Sequence, residues 1–575
     1  MRQGDPISPF LFVIVMEALS CMIRKACSLG IVKGVSLPND GPVVSHLFYA
    51  DDAIILGEWS RDNILNVVRI MRCFYACSGL QINFGKSNLF GIGVHLGEVE
   101  EMAVLVGCKA ESLPFKYLGL TVGANMNRIF NWRPVFDIFE KRLSLWKDSF
   151  LSIGGRVTLI RSVLESLPSY YFSLYRAPAK VVEDLESLIR KFLWGGSSKE
   201  KKLHWVAWDR VASPKKMGGL GLHCLRDVNM ALLAKWGWRY KNEKENLWVK
   251  VVNALHVGGS DWDFLPAKKA YGGVWCNIAS VLKKPLVDNL PFRNLFKGVV
   301  GRGDNIMFWL DPWLYDVPLK EKFPSLFHLE VVKTCCVRDR LDGEGLWLWR
   351  HDPNSEVEEA EWQSLWVALG SVSLSDTPDR WSWLGYGSEG FSVAAVKKHL
   401  DSKKDYSSRF VMDWCKWVPQ KCNIFAWRAD MNRIPTVEAL AKRGVVVIDD
   451  MCSFCNAGFD SVNHLFTACP LALGLWEKIS YWCRIPNFFI FSFRDLLEIH
   501  NLGVRRASER KVLHGIVLSA CWVLWKSRNS LRFNGKRCSV DEIFSEVRVV
   551  SFFWFKHRAK KGKLDWGDWC KFVNM

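Results

Sequence analysis

The 575-residue sequence has no apolar run of the roughly 18 to 20 residues needed to cross a bilayer. The nearest, Phe10 to Met16, meets Glu17 and follows Asp5, Pro6 and Pro9, with no small-residue cleavage site to mark a signal peptide. Internal repeats and low-complexity tracts are missing too, so neither a repeat array nor a biased tail is in view. Acidic residues fall short: 59 against 77 basic ones leave a net charge of +18, which favours polyanionic partners and nucleic acid first. The 18 cysteines are scattered rather than packed into a short secreted scaffold, which reads as reduced core thiols. What is abundant is apolar content, 49%, with 13% aromatics: a chain that buries several cores, soluble and intracellular, with no membrane partner.

Tyr49-Ala50-Asp51-Asp52 stands out against this background. His46-Leu47-Phe48-Tyr49 and Ala53-Ile54-Ile55-Leu56 are short β-prone segments around an acidic break, which predicts a hairpin with two adjacent carboxylates at its tip. Neighbouring strand side chains point to opposite faces, so both carboxylates can meet one solvent or metal site only if the backbone turns there. Such oxygen ligands suit Mg²⁺, which binds through one or two carboxylates plus substrate phosphates. Two such ions flank an in-line displacement in nucleotidyl transfer. Taken alone, the dipeptide reads more simply as an acidic turn; its surroundings reverse that.

Gln3-Gly4-Asp5-Pro6-Ile7-Ser8-Pro9 precedes a helix-like stretch from Phe10 to about Cys27, and the hairpin follows. Ser78-Gly79-Leu80-Gln81-Ile82-Asn83-Phe84-Gly85-Lys86-Ser87 and Leu113-Pro114-Phe115-Lys116-Tyr117-Leu118-Gly119 complete the series. In this order and spacing the segments resemble the reverse transcriptases of plant-type LINE (non-long-terminal-repeat) retrotransposons. The resemblance implies an RNA-directed DNA polymerase that takes an RNA template and a DNA primer and uses Mg²⁺ or Mn²⁺. It implies that the loop with Gln3 and Gly4 packs on the template base pair and nascent strand. Tyr49 to Asp52 would form the catalytic hairpin, with Asp51 and Asp52 as metal ligands and Asp51 the firmer one. Lys86 would donate a proton to the pyrophosphate leaving group, or else be a solvated loop lysine. Phe115 to Gly119, including Lys116 and Gly119, would grip the primer end.

The family carries a further aspartate on a palm strand upstream of the Gln-Gly-Asp-Pro loop, together with nucleotide-binding fingers. Here the sequence begins at the loop, and before Asp51 it has only Asp5 in that loop and Asp40 in a Pro-Asn-Asp-Gly turn signal. The expectation is half a metal site, weak metal binding, and no polymerase activity from this polypeptide alone.

Apolar residues recur at helical spacing from Trp132 to Trp194, punctuated by Gly154-Gly155 and Pro168 and interleaved with Lys141, Arg142, Lys147, Arg156, Arg161, Arg190 and Lys191. This suits a thumb following a nucleic-acid backbone, or a solvated helix face. Leu151 to Arg156 and the glycine turn Gly218-Gly219-Leu220-Gly221-Leu222 continue the resemblance. From Tyr240 to Arg380 tryptophan is frequent; these rings read as core in preference to a base-stacking platform, and Asp304 and Asp311 as turn or cap residues in preference to a second metal site.

Cys452-Ser453-Phe454-Cys455, His464 and Cys469 spell Cys-x2-Cys-x8-His-x4-Cys, which holds the chain's one Cys-x-x-Cys. Two thiolates on a tight turn with a later His and Cys make a tetrahedral Zn²⁺ set, structural because no position is left open for water. Gly390 to Val393, Lys421 to Arg428 and Arg433 to Thr436 resemble the zinc-binding domain that follows the polymerase in these elements. The basic run Lys556 to Lys563 reads as a nuclear address, a phosphate patch or a solvated tail. The expected class is α+β and multidomain: a partial palm of hairpin and helices (1–125), a helical thumb (126–240), a tryptophan-rich connection (241–380), a largely helical zinc-binding domain (381–482) and a basic helical region (483–575). The alternative function is a non-catalytic, zinc-containing nucleic-acid-binding protein derived from a mobile element.

Overall fold

Apolar residues at helical spacing dominate the sequence, and helices dominate the computed structural model, which is 55% helical and 8% strand, an α+β chain. It describes residues 5–146, 151–195, 202–258, 262–285, 291–342, 347–386, 390–486, 490–501, 506–559 and 564–573. Gln3, Gly4, Lys147 and the stretch 560–563 of the basic run lie outside the described residues. Among the described residues no helix is long and apolar enough to cross a membrane.

The chain forms two compact units, each assembled from separated segments: Met1–Arg133, Tyr170–Pro178 and Asn229–Lys403 in the first, and Pro134–Ser169, Ala179–Val228 and Lys404–Met575 in the second.

In the first unit, the helix Ser8–Ser28 starts at a proline in its first turn, where the missing amide costs no intrahelical bond. Its Leu19 and Ile23 pack on Met71 and Phe74 of the helix Arg61–Ser78. That second helix is capped by Ser60, whose side chain accepts from the Asn63 amide. All the strands described lie in this unit and pair only two by two. They are β1 (Val35–Ser36) with β2 (Val43–Val44), β3 (His46–Tyr49) with β4 (Asp52–Ile55), β5 (Asn88–Phe90) parallel to β6 (Lys109–Glu111), β7 (Phe115–Tyr117) with β8 (Leu120–Val122), and β9 (Phe296–Val299) with β10 (Arg380–Trp383).

The tryptophan-rich stretch supplies the larger core of this unit. Trp309 is fully buried and donates from its indole to Glu330 (3.1 Å), which also receives Arg340 at 2.9 Å. Trp347, Trp349 and Trp362 pack edge-on or stacked at 4.8 to 5.4 Å between ring centroids. Their faces are spent on one another, so the core reading prevails over a stacking platform. Asp311 is fully buried, pairs with Lys241 at 2.5 Å and accepts the Met307 amide. Its role is internal neutralisation. Removing one partner of such a pair leaves a buried charge, so Asp311→Ala should lower unfolding free energy by about 3–5 kcal/mol in urea titrations.

In the second unit, the helix Ile153–Leu159 takes Gly154-Gly155 into its first turn, where the sequence reading placed a break. The reason is close packing: a Cβ on Gly154 would sit 2.9 Å from the Lys421 amide nitrogen. The long helix Ala507–Asn534 is buried along most of its middle and is followed by Val540–Arg558, which opens with a Ser539/Glu542 capping box. His514 on the long helix donates from Nε2 to the Asp413 carbonyl at 2.8 Å and lies 4.2 Å, centroid to centroid, from His500. Burial holds its protonated form down, to a pKa of about 4; His500 adds to this and the Asp413 carbonyl opposes it. An unfolded histidine takes its proton near pH 6.5, so its contribution to stability is present above that value and is lost as pH falls through about 4. Denaturation midpoints should fall over this window, and less steeply in His514→Gln.

Candidate functional site

The acidic hairpin is built by local pairing. Tyr49 faces Asp52, Phe48 faces Ala53 and His46 faces Ile55, with Ala50 at φ 51° in the two-residue turn. Phe48 and Ile55 pack on the Leu19–Met71 cluster, so Tyr49 and Asp52, next along each strand from an inward residue or the turn, lie on the opposite, exposed side. Asp51, within the turn, is exposed as well. His46 anchors the base of β3: its Nε2 lies 2.8 Å from the Ser20 hydroxyl and its Nδ1 2.9 Å from that of Ser45.

The β7–β8 hairpin comes close to this tip. Burial raises the Tyr117 phenol's pKa, and the neighbouring Asp52 carboxylate raises it further. The Leu118-Gly119 turn, with both residues at positive φ, is held from outside its own sequence neighbourhood: Tyr170 and Tyr171 donate to the Leu118 and Gly119 carbonyls, each at 3.0 Å. Phe115 stacks on Phe90 of β5 at 4.3 Å. Lys86, two residues before β5, and Lys116 on β7 are both exposed. Sequence reasoning placed Tyr117 in this hairpin but missed Tyr170 and Tyr171 as shapers of the site. Only the run of aromatic hydroxyls at 170–171 hinted at the last two.

The second site is a closed set of donors. Cys452, Cys455, His464 and Cys469 place one ligand atom each within 4.8 Å of one another, the one group of three or more His, Cys, Asp or Glu residues so gathered among the described residues. The Cys452 and Cys469 sulfurs are 4.0 Å apart, and the Cys455 sulfur lies 3.1 Å from His464 Nε2. Zinc bonds of about 2.0 to 2.3 Å require tetrahedral edges of about 3.5 to 3.8 Å, which these separations bracket.

Local backbone chemistry puts the donors there. The Cys452 amide donates to the Gly458 carbonyl at 2.7 Å, Asn456 turns back at φ 55°, and the Ala457 amide points to the Cys455 sulfur at 3.5 Å. Gly458 must be glycine, because a Cβ there would sit 2.6 Å from the His464 ring. Cys469 caps the helix Pro470–Cys483, whose N-terminal dipole favours a thiolate. Its hydrogen bond with Cys469 holds the Cys452 thiol down, to a pKa of about 5; the same bond, then burial and the charge on Cys452, push Cys469 up. Two buried sulfurs this close can both be thiolates only with a cation between them, and the soft, four-donor set fits zinc.

Asp460 ties the site to its surroundings. Fully buried, it pairs with Arg528 and, at 3.4 Å, Arg532 of the long helix, and its carbonyl receives the Glu438 amide at 3.2 Å.

Comparison with known proteins now bears on both sites. Residues 1–122 match the family of reverse transcriptases (RNA-dependent DNA polymerases), and residues 391–476 match the zinc-binding region in reverse transcriptases. Both matches are to parts of reverse transcriptases, in keeping with a LINE-type reverse transcriptase and its zinc-binding domain. An Arabidopsis thaliana protein named for ribonuclease H is 30% identical over 404 residues, 68% of this chain and 63% of that one. A 149 kDa protein of transposon TX1 from Xenopus laevis is 26% identical over 235 residues, 39% of this chain and 16% of that one. A mitochondrial protein of Arabidopsis thaliana is 44% identical over 97 residues, covering 75% of its own length. The chain thus spans less than two thirds of the length of the first two. The Cys-x2-Cys and His464 fall inside the matched zinc-binding region, as does Cys469.

Elemental analysis of purified protein should give one zinc per chain, lost in Cys455→Ser. A preparation without zinc that behaves identically to that variant would remove the metal assignment.

Proposed function

We propose that this chain is part of an RNA-directed DNA polymerase of a LINE-type retrotransposon, binding RNA template and DNA primer, and that alone it does not polymerise. The observation that carries the reading is the tip of the β3–β4 hairpin, where Asp51 and Asp52 are both exposed beside the β7–β8 hairpin. In a completed palm Asp51 and Asp52 would hold Mg²⁺, which supplies charge neutralisation at the reacting phosphate. This chain's own groups act around that point: Lys86 as proton donor to the leaving group, Tyr49, Lys116 and the Gly119 turn as contacts to the strands. Gln3 and Gly4 are assigned to the template contact by resemblance.

Inactivity alone rests on the number of ligands. Among the described residues no third acidic side chain joins Asp51 and Asp52, and their hairpin has no third strand. Phe10, Val13 and Ile14 of the first helix, 71%, 65% and 64% exposed, form an apolar stripe that a further palm element would cover. The same facts support the second reading, a non-catalytic zinc-containing nucleic-acid-binding protein, since the zinc set has all four donors. A nuclear location is consistent with the basic run from Lys556, as an address to be tested by imaging.

Primer extension on an RNA template with Mg²⁺ or Mn²⁺ should yield no product. Product formation that Asp51→Ala abolishes would overturn the inactivity and leave the polymerase assignment standing.

A further inference from the structure

The second unit carries a group of cations that the zinc cluster and the palm do not use. Arg428, on the helix Gln420–Asp430, lies with its guanidinium 5.4 Å from the Trp194 ring centroid and 5.2 Å from that of Trp205. Arg443 approaches the same Trp205 ring at 4.5 Å. Two guanidiniums on one indole repel each other, and hydrogen bonds fix each in place against that repulsion. Arg443 donates to the carbonyls of His204 (3.1 Å) and Trp205 (2.7 Å), and Arg428 donates from Nε to the Arg433 carbonyl (2.9 Å). Arg190 and Lys191 extend the group along the helix Ala179–Trp194, with Arg190 one turn from Trp194 and its guanidinium 5.9 Å from Trp208.

These charges crowd one another, and Glu186 stands near Arg190 alone. Burial and Arg443 together lower Arg428; burial and Arg433 lower Arg443; burial, Arg190 and Lys191 lower His204. No carboxylate of the described residues opposes any of the three. Some exposed cations elsewhere in the same unit have partners, as in Lys442 with Glu438 and Lys526 with Glu546. A guanidinium has five N–H donors, and Arg428 spends one of them on the protein among the described residues. Lys191, His204 and Arg433 are exposed and Arg443 partly so, while Arg428 lies largely buried beneath them.

We propose that this arginine–tryptophan surface binds the phosphate backbone of nucleic acid, independently of sequence. Pre-organised guanidiniums suit phosphate oxygens, because the planar fork can bond them without further loss of freedom. The indoles are stacked under the guanidiniums, which argues against bases stacking there. Backbone contact without base readout gives affinity governed by counterion release. The inference rests on the proposed nucleic-acid function and adds a location and a mode to it.

The test is binding of the full chain to a mixed-sequence RNA–DNA hybrid of about 20 base pairs, measured across salt concentrations, with Lys191→Gln/Arg433→Gln against a control that removes two exposed charges of the first unit, Lys235→Gln/Lys398→Gln. Each lost phosphate contact should lower the slope of log K against log salt by about 0.7 to 0.9. The expected result is a slope lower by about 1.4 to 1.8 in the first variant only, with zinc content and unfolding midpoint unchanged. Arg443→Gln, which also breaks the carbonyl contacts, should lower it by a comparable single step. Equal slopes in the wild type and Lys191→Gln/Arg433→Gln would overturn the site while leaving nucleic-acid binding intact. Absence of hybrid binding at low salt would overturn both.

Discussion

Four side chains that must reach one point set the terms for the C-terminal unit. Between Gly444 and Val462 the backbone has almost no regular structure; its notable pairing is the bridge from Met451 to Phe459. Ordering each such residue costs about 1–2 kcal/mol of conformational entropy, and few apolar contacts are present to offset it: Val446 and Ile448 are almost wholly exposed. A metal ion held by these four donors would supply what packing does not. Asp460, between the two halves of the ligand set, then passes that order to the long helix through Arg528.

Features made by near neighbours were legible before the structure. The hairpin at Tyr49–Asp52 follows from alternating β-prone segments around a turn, and the Cys-x2-Cys follows from spacing, so both could be read locally. The helical stretches from Trp132 to Trp194 were legible from apolar period in the same way. What escaped reading depends on residues far apart in sequence. Nothing near Asp460 announces Arg528, and nothing near Leu118 announces the hydroxyls of Tyr170 and Tyr171. Gly154 looks like a break in sequence; only the approach of the Gln420–Lys421 backbone shows why a helix needs it.

The abundance of tryptophan and the excess of cations, both visible in composition, meet in different local arrangements. In the first, indoles pack against indoles and buried cations are matched, as Lys241 is by Asp311 and Arg340 by Glu330. In the second, Trp194 and Trp205 support guanidiniums that have no matching acid among the described residues. Around Trp194 and Trp205 aromatic surface fixes charge as well as adding to stability.

The interleaving of the units has a consequence for synthesis. The first unit takes in Tyr170–Pro178 and Asn229–Lys403 as well as the amino-terminal stretch, while the second begins at Pro134 and needs residues beyond Lys404. A nascent chain therefore cannot finish one body before starting the next, as proteins built from successive domains do on the ribosome. The segment that leaves the exit tunnel with the β7–β8 hairpin waits for tyrosines some fifty residues later, and the segments of the second unit wait for the last third of the chain. Such long sequence separations slow folding and lengthen the time for which apolar surface stays open to chaperones or to aggregation.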